Sequence, residues 1–256
     1  MNNPASKAMS VLRKHGISDI PALSLESIAK AENIKCVFES FPDDKWLAGM
    51  LLYKGEKRKI IVNTYIDNPG RKNFTFAHEL GHHFHEHPPS YFKDGQSGFR
   101  CTSDDIEKEQ KPREIEANLF AVELLMPEDD FRLDMVGAPI DFALIGNLAN
   151  RYMVSKHACS NRIVGLTQAP CAVIRTSGVN IISMAVSRSA KGFLRNLKTL
   201  PSETAACSAI IESRWDEGFT QVKANKWLCR SIQSQEVLEC THIHRESNTA
   251  MTIIKW

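Results

Sequence analysis

Apolar residues recur at helical spacing over residues 5–15 and again over 24–33, where Leu25, Ile28 and Ala29 share one face and Pro21 and Ser24 separate the two segments. This pattern predicts two short helices. The period then shortens to apolar runs at 36–38, 47–53 and 59–63, which predict strands, and Lys54-Gly55-Glu56-Lys57 is a hairpin signal between the last two. Asn68-Pro69-Gly70 marks a turn. A helix is predicted from about 72 to 87, stopped by Pro88-Pro89. Residues 88–112 carry Gly95, Gly98 and many charges and predict an irregular loop. A long apolar helix follows at 112–126, opened by Pro112 and closed by Pro127. Helices are also predicted over 128–135 and 141–165, on either side of Pro139. After Pro170 the pattern predicts strands at 171–176 and 179–186, a helix at 202–213, and closing strands at 236–242 and 249–256. The expected class is α+β. The expected domains are 1–166 and a smaller α+β module at 167–256.

A chain of 256 residues, 43% hydrophobic and 24% charged, is long enough to bury a core and has ordinary globular composition. With 32 basic and 30 acidic residues the net charge is +2, which gives no global case for nucleic acid or an anionic membrane as partner. The best apolar run, 117–126, includes Asn118 and Glu123 and is about half the length of a membrane span. The N-terminal residues Met1-Asn-Asn-Pro-Ala-Ser-Lys have no apolar core of a secretory signal, so a cytosolic protein is expected. The seven cysteines are widely spaced, without a Cys-x-x-Cys pair, and predict reduced thiols rather than a disulfide framework.

Chemistry concentrates in the predicted helix at 72–87. Residues 78–82 read His78-Glu79-Leu80-Gly81-His82. On a helix, positions i and i+4 lie about 40° apart and one turn along the axis, so both imidazoles reach one metal ion. Glu79 is then placed to serve as general base without ligating the metal. The strand predicted at 59–63 precedes this helix, and zinc peptidases lay an extended substrate along an edge strand beside the metal helix. A catalytic zinc takes three protein ligands and keeps one position open. Glu114 and Glu116, at the start of the second apolar helix, are both candidates for the third. Their spacing is equally that of acids solvated at a helix N-terminus.

Arg71-Lys-Asn-Phe-Thr-Phe-Ala-His-Glu-Leu-Gly-His82 together with Glu116-Ala-Asn-Leu-Phe-Ala-Val-Glu-Leu-Leu-Met-Pro127 closely resembles the ImmA/IrrE family of zinc metallopeptidases. The resemblance covers roughly residues 8–165. It implies a compact zincin-like fold with a gluzincin-type site and one zinc ion per chain. His78, His82 and Glu116 are the implied ligands, with Glu114 as the alternative to Glu116, and Glu79 is the implied catalytic base. The implied activity is endopeptidase action on a helix-turn-helix transcriptional repressor that relieves repression. The alternative is a protein that captures the repressor without cutting it.

Tyr65, Arg71, His83, His85 and Tyr91 are candidate oxyanion donors, and His87 is equally a solvated helix end. Cys101 reads either as a thiolate that blocks the open zinc position or as a core residue under Phe99. Residues 144–166 resemble a helix-turn-helix with Ser155 capping its second helix, from which Lys156, Asn161 and Arg162 would reach a DNA groove. The competing reading is two helices packed on the peptidase core. Trp215, Trp227 and Trp256 read as core or interface anchors, and His242 and His244 alternate on a predicted strand.

Overall fold

The computed structural model describes residues 3–65, 67–92, 97–102, 111–212, 218–229, 235–244 and 247–256. Trp215 and part of the predicted loop 88–112 lie outside the described residues. Eight α-helices and two sheets make up a mixed α+β chain among the described residues. The chain divides into two compact units, 1–136 with 146–159, and 137–145 with 160–256.

In the first unit, helices α1 (Pro4–Lys14) and α2 (Leu25–Ala31) precede strands β1 (Ile34–Glu39), β2 (Leu47–Lys54) and β3 (Lys57–Asn63). Strands β4 (Ser90–Tyr91) and β5 (Ser97–Thr102) complete a sheet of order β1-β3-β2-β5-β4, in which only the β1–β3 pair is parallel. Strand β5 corrects the expected irregular loop. Its glycine and charges mask a strand whose order comes from pairing with β2, a contact distant in sequence. The strand that precedes the His-Glu-x-x-His helix, β3, is flanked on both sides by β1 and β2 and is not an edge of the sheet.

Two helices of this unit carry the two motifs singled out in the sequence. Helix α3 (Pro69–Phe84) begins where the Asn68 side chain accepts from the Arg71 N–H at 3.0 Å and Pro69 fills the first turn. It ends one turn earlier than expected. Glu86 takes a left-handed φ of 52°, the Glu86 N–H donates to the His83 carbonyl, and the His87 N–H returns to the His82 carbonyl at 3.2 Å. This is a Schellman ending with glutamate in the usual glycine position. Helix α4 (Pro112–Leu125) is buried at Ala117, Phe120, Ala121, Leu124 and Leu125. It packs against α3, and a Cβ on Gly81 would lie 2.9 Å from Ala117 Cα, so the two backbones approach closely there. Helix α5 (Glu128–Met135) buries Phe131 against Tyr152, with ring centroids 5.0 Å apart.

Helices α6 (Phe142–Arg151) and α7 (Lys156–Leu166) each contribute residues to both units. The turn between them has Met153 at φ 53°, and the Ser155 hydroxyl accepts from the Ala158 N–H. The turn itself is seated on α3: Asn73 Nδ2 donates to the Met153 carbonyl at 2.8 Å, and a Cβ on Gly70 would overlap Val154 and Ser155 backbone at 2.3 Å.

The second unit is an antiparallel sheet of order β7-β6-β10-β9-β8. Its strands are β6 (Cys171–Ser177), β7 (Asn180–Val186), β8 (Thr220–Lys223), β9 (Glu236–His244) and β10 (Thr249–Lys255), and helix α8 (Ala205–Ile211) packs against it. Trp227 is fully buried and donates its Nε1–H to Glu239 Oε2, whose other oxygen accepts from the Ala206 N–H. His242 stacks on Phe142 with centroids 3.7 Å apart. Neither His242 nor His244 belongs to a group of metal-ligand type among the described residues. No described helix is long and apolar enough to cross a membrane.

Candidate metal centre

His78 and His82, one turn apart on α3, are both fully buried, and Glu114 at the start of α4 is 6% exposed. His82 Nε2 lies 3.0 Å from His78 Nε2 and 3.1 Å from Glu114 Oε2, and His78 Nε2 lies 3.3 Å from the same oxygen. Three ligand atoms on a tetrahedral zinc with bonds near 2.0–2.1 Å sit about 3.3 Å apart, so this near-equilateral triangle fits such an ion.

The surrounding groups orient the lone pairs inward. Asn118 Oδ1 is an acceptor 2.8 Å from His78 Nδ1, so that nitrogen carries the proton and Nε2 is left with its lone pair. His82 Nδ1 lies 2.9 Å from His87 Nδ1, and the His82 ring stacks on Phe99 of β5 with centroids 4.2 Å apart. Arg113 Nε donates to Glu114 Oε1, the oxygen turned away from the imidazoles. Burial pushes the His82 pKa down to about 4 even against the opposing effect of Glu114. Burial would raise the Glu114 pKa, but the His78 and His82 imidazoles beside its Oε2 hold its carboxyl well below the ordinary range. Both effects favour a neutral ring beside a carboxylate, the states that bind a metal.

Glu79 is fully buried on the α3 face toward β2, where Gly49 makes room: a Cβ there would lie 3.5 Å from Glu79 Oε1 and 2.6 Å from Thr75 Cγ2. Glu116, the ligand implied by the family motif, is not brought to the imidazole pair. Its Oε2 lies 2.9 Å from His87 Nε2, in a separate group with His85. The reason is rotation: Glu114 and Glu116 are about 200° apart around α4. Glu114, three residues from Ala117, shares the stripe that crosses α3. Asn118 was the signal that could have favoured Glu114, because it stands one turn further along on the same side.

The remaining candidates are dispersed. His87 is buried, not a solvated helix end. His83 Nε2 lies 3.5 Å from Glu32, while Tyr65 and Tyr91 are exposed. Cys101 is buried in β5 opposite Gly49 and belongs to neither histidine group.

Two crossing helices, one with the His-Glu-x-x-His pair and the other with a buried glutamate and its asparagine support, fit the zincin class of metallopeptidases. Residues 29–164 match the IrrE N-terminal-like domain family of M78 peptidases, and the chain belongs to that family. No curated protein sequence matches this one. Eleven solved chains match its structure. One is a Mycobacterium tuberculosis transcriptional regulator, 15% identical, with a TM-score of 0.60 over 100% of this chain and 77% of its own length; it shares the fold.

Proposed function

We propose that the chain is a zinc-dependent endopeptidase whose metal is held by His78, His82 and Glu114. The observation that carries this reading is the triangle of buried nitrogen and oxygen atoms 3.0–3.3 Å apart, with the Glu79 carboxylate on the same helix. A bound zinc ion would supply Lewis-acid polarisation of the scissile carbonyl and acidify water. Glu79 takes one proton from the attacking water as the C–O bond forms. It then delivers that proton to the amide nitrogen as the C–N bond breaks, releasing a carboxylic acid and an amine. Among the described residues, β4 pairs with the outer side of β5 at Ser97 and Gly98 alone, so an extended peptide would add to the sheet along 99–102.

The substrate we propose is a helix-turn-helix transcriptional repressor, as the family resemblance implies, and the M. tuberculosis protein of the same fold is itself a transcriptional regulator. A protein substrate is favoured over DNA binding through 144–165, because the turn at Met153–Ser155 is spent on packing against Asn73 and Gly70. The test is incubation of zinc-loaded parent and Glu79→Gln chains with the helix-turn-helix repressor encoded nearest to this gene, read by intact mass. Fragments with the parent alone are expected. A repressor that binds both chains and stays intact would overturn turnover in favour of capture.

A further inference from the structure

His85, His87 and Glu116 form a second group of ligand-type side chains in the first unit, with one ligand atom from each within 4.8 Å of the others. We propose that these residues are a second site for a borderline divalent ion, Zn²⁺ foremost, linked to the first site through the His82–His87 contact. The proposal goes beyond the peptidase reading and rests on it only in taking His82 as a ligand of the first site.

The Schellman ending of α3 builds the group. Glu86 at φ 52° turns the chain back, so that His87 is carried under His82 while His85 stays at the end of the helix. The His85 and His87 rings lie 17° from parallel with centroids 5.5 Å apart. Glu116 Oε2 approaches His87 Nε2 at 2.9 Å from the facing helix. A simpler reading makes His87 and Glu116 a relay that orients His82, as carboxylate–histidine chains do around zinc ligands. That reading accounts for two of the three residues. It leaves His85 Nε2 buried from solvent with no hydrogen-bond partner among the described residues, a costly state for a ring nitrogen. An ion shared by His85, His87 and Glu116 satisfies it. Two imidazoles and a carboxylate suit zinc and its first-row neighbours rather than magnesium or calcium. The Glu116 side chain is 43% exposed, so the site is open to entry and to a solvent ligand.

The two groups touch through a 2.9 Å contact between His82 Nδ1 and His87 Nδ1. The first group is enclosed, whereas the second is open to solvent along the half-exposed Glu116, so the second ion binds more weakly.

The test is equilibrium dialysis of the full chain against buffered free zinc, with metal per chain read by mass spectrometry. The parent is expected to bind one zinc tightly and a second at least about tenfold more weakly. His85→Ala, at the helix end and outside the His82 contact, should lose the second step and keep the tight one. Glu116→Gln should lose the second step as well, with circular dichroism reporting that both variants fold. A single zinc per chain up to about 100 μM free zinc would overturn the second site alone, as would a second step unchanged in both variants. A parent that binds no zinc would overturn both this site and the peptidase reading.

Discussion

Gly81→Ala tests whether the crossing of α3 and α4 sets the metal site. The added Cβ would stand 2.9 Å from Ala117 Cα, 3.0 Å from Ala117 O and 3.3 Å from Ala117 Cβ. Comfortable carbon contacts are about 3.5–4.0 Å, so the helices must separate locally by about 0.5–1 Å. Overpacking of this kind costs about 1–3 kcal/mol, while replacing glycine by alanine inside a helix returns about 1 kcal/mol. The net loss of metal-free stability is therefore only about 0–2 kcal/mol. The metal site feels the separation directly, because Glu114 rides on α4 and the imidazoles ride on α3. Edges of 3.1 and 3.3 Å would open by up to the same displacement, past the tolerance of about 0.5 Å for a preorganised site. The expected result is a zinc affinity at least about tenfold lower, measured by competition with a chromogenic chelator, beside a nearly unchanged urea midpoint of the metal-free chain. Gly146→Ala is the control: nothing lies within 4 Å of its Cβ, so it gains helix propensity and leaves zinc binding alone. A Gly81→Ala chain with parental zinc affinity would refute the argument that this contact fixes the ligand spacing.

Two further outcomes follow from the same geometry. Glu114→Gln should weaken the tight zinc step by about 100-fold or more, whereas Glu116→Gln, two contacts away from the ion, should shift it by less than about tenfold; dialysis with metal analysis separates them, and the reverse order would restore Glu116 as the ligand. The metal-free chain should also be acid-labile. His82 titrates near 4 when folded and near 6.5 when unfolded, so between these values the unfolded chain binds the extra proton and stability falls as the pH falls. The loss should reach about 2 kcal/mol by about pH 5, read as a drop in the urea midpoint relative to about pH 7.5. Glu114, held below the carboxylate range, adds a loss of the same sign at still lower pH. A midpoint that stays flat over this interval would contradict the buried neutral state of His82.

What could be read from the sequence was what depends on neighbours a turn apart. His78, Glu79 and His82 are fixed relative to each other by one helix, which the sequence pattern starts at about 72, after a turn at Asn68-Pro69-Gly70, whereas Asn68 is in fact its N-cap and Pro69 its first residue. The long helix from Pro112 is legible for the same reason. What escaped depends on contacts distant in sequence or on backbone signs that composition does not carry. Strand β5 exists through its pairing with β2 and reads locally as loop. His87 reaches His82 through a left-handed glutamate, and glutamate gives no warning of that conformation.

The choice between Glu114 and Glu116 is the instructive case, because the information was present in a different pair of residues. Two acids two positions apart face opposite sides of a helix, and neither the charge nor the surrounding apolar pattern says which side meets the histidines. The crossing point decides it. Gly81 on one helix and Ala117 on the other are the small residues that allow close approach, and the approach orients α4 so that positions three and four away from Ala117 face α3. Glu114 and Ala121 satisfy that spacing, and Asn118 lies beside it, near enough for its side chain to reach His78 Nδ1. Glu116 is rotated by about 100° from Ala117 and meets His87 on the flank instead. The acid adjacent to the Ala117-Asn118 pair is thus turned away from the two imidazoles by the same helix geometry that brings Asn118 to His78 Nδ1.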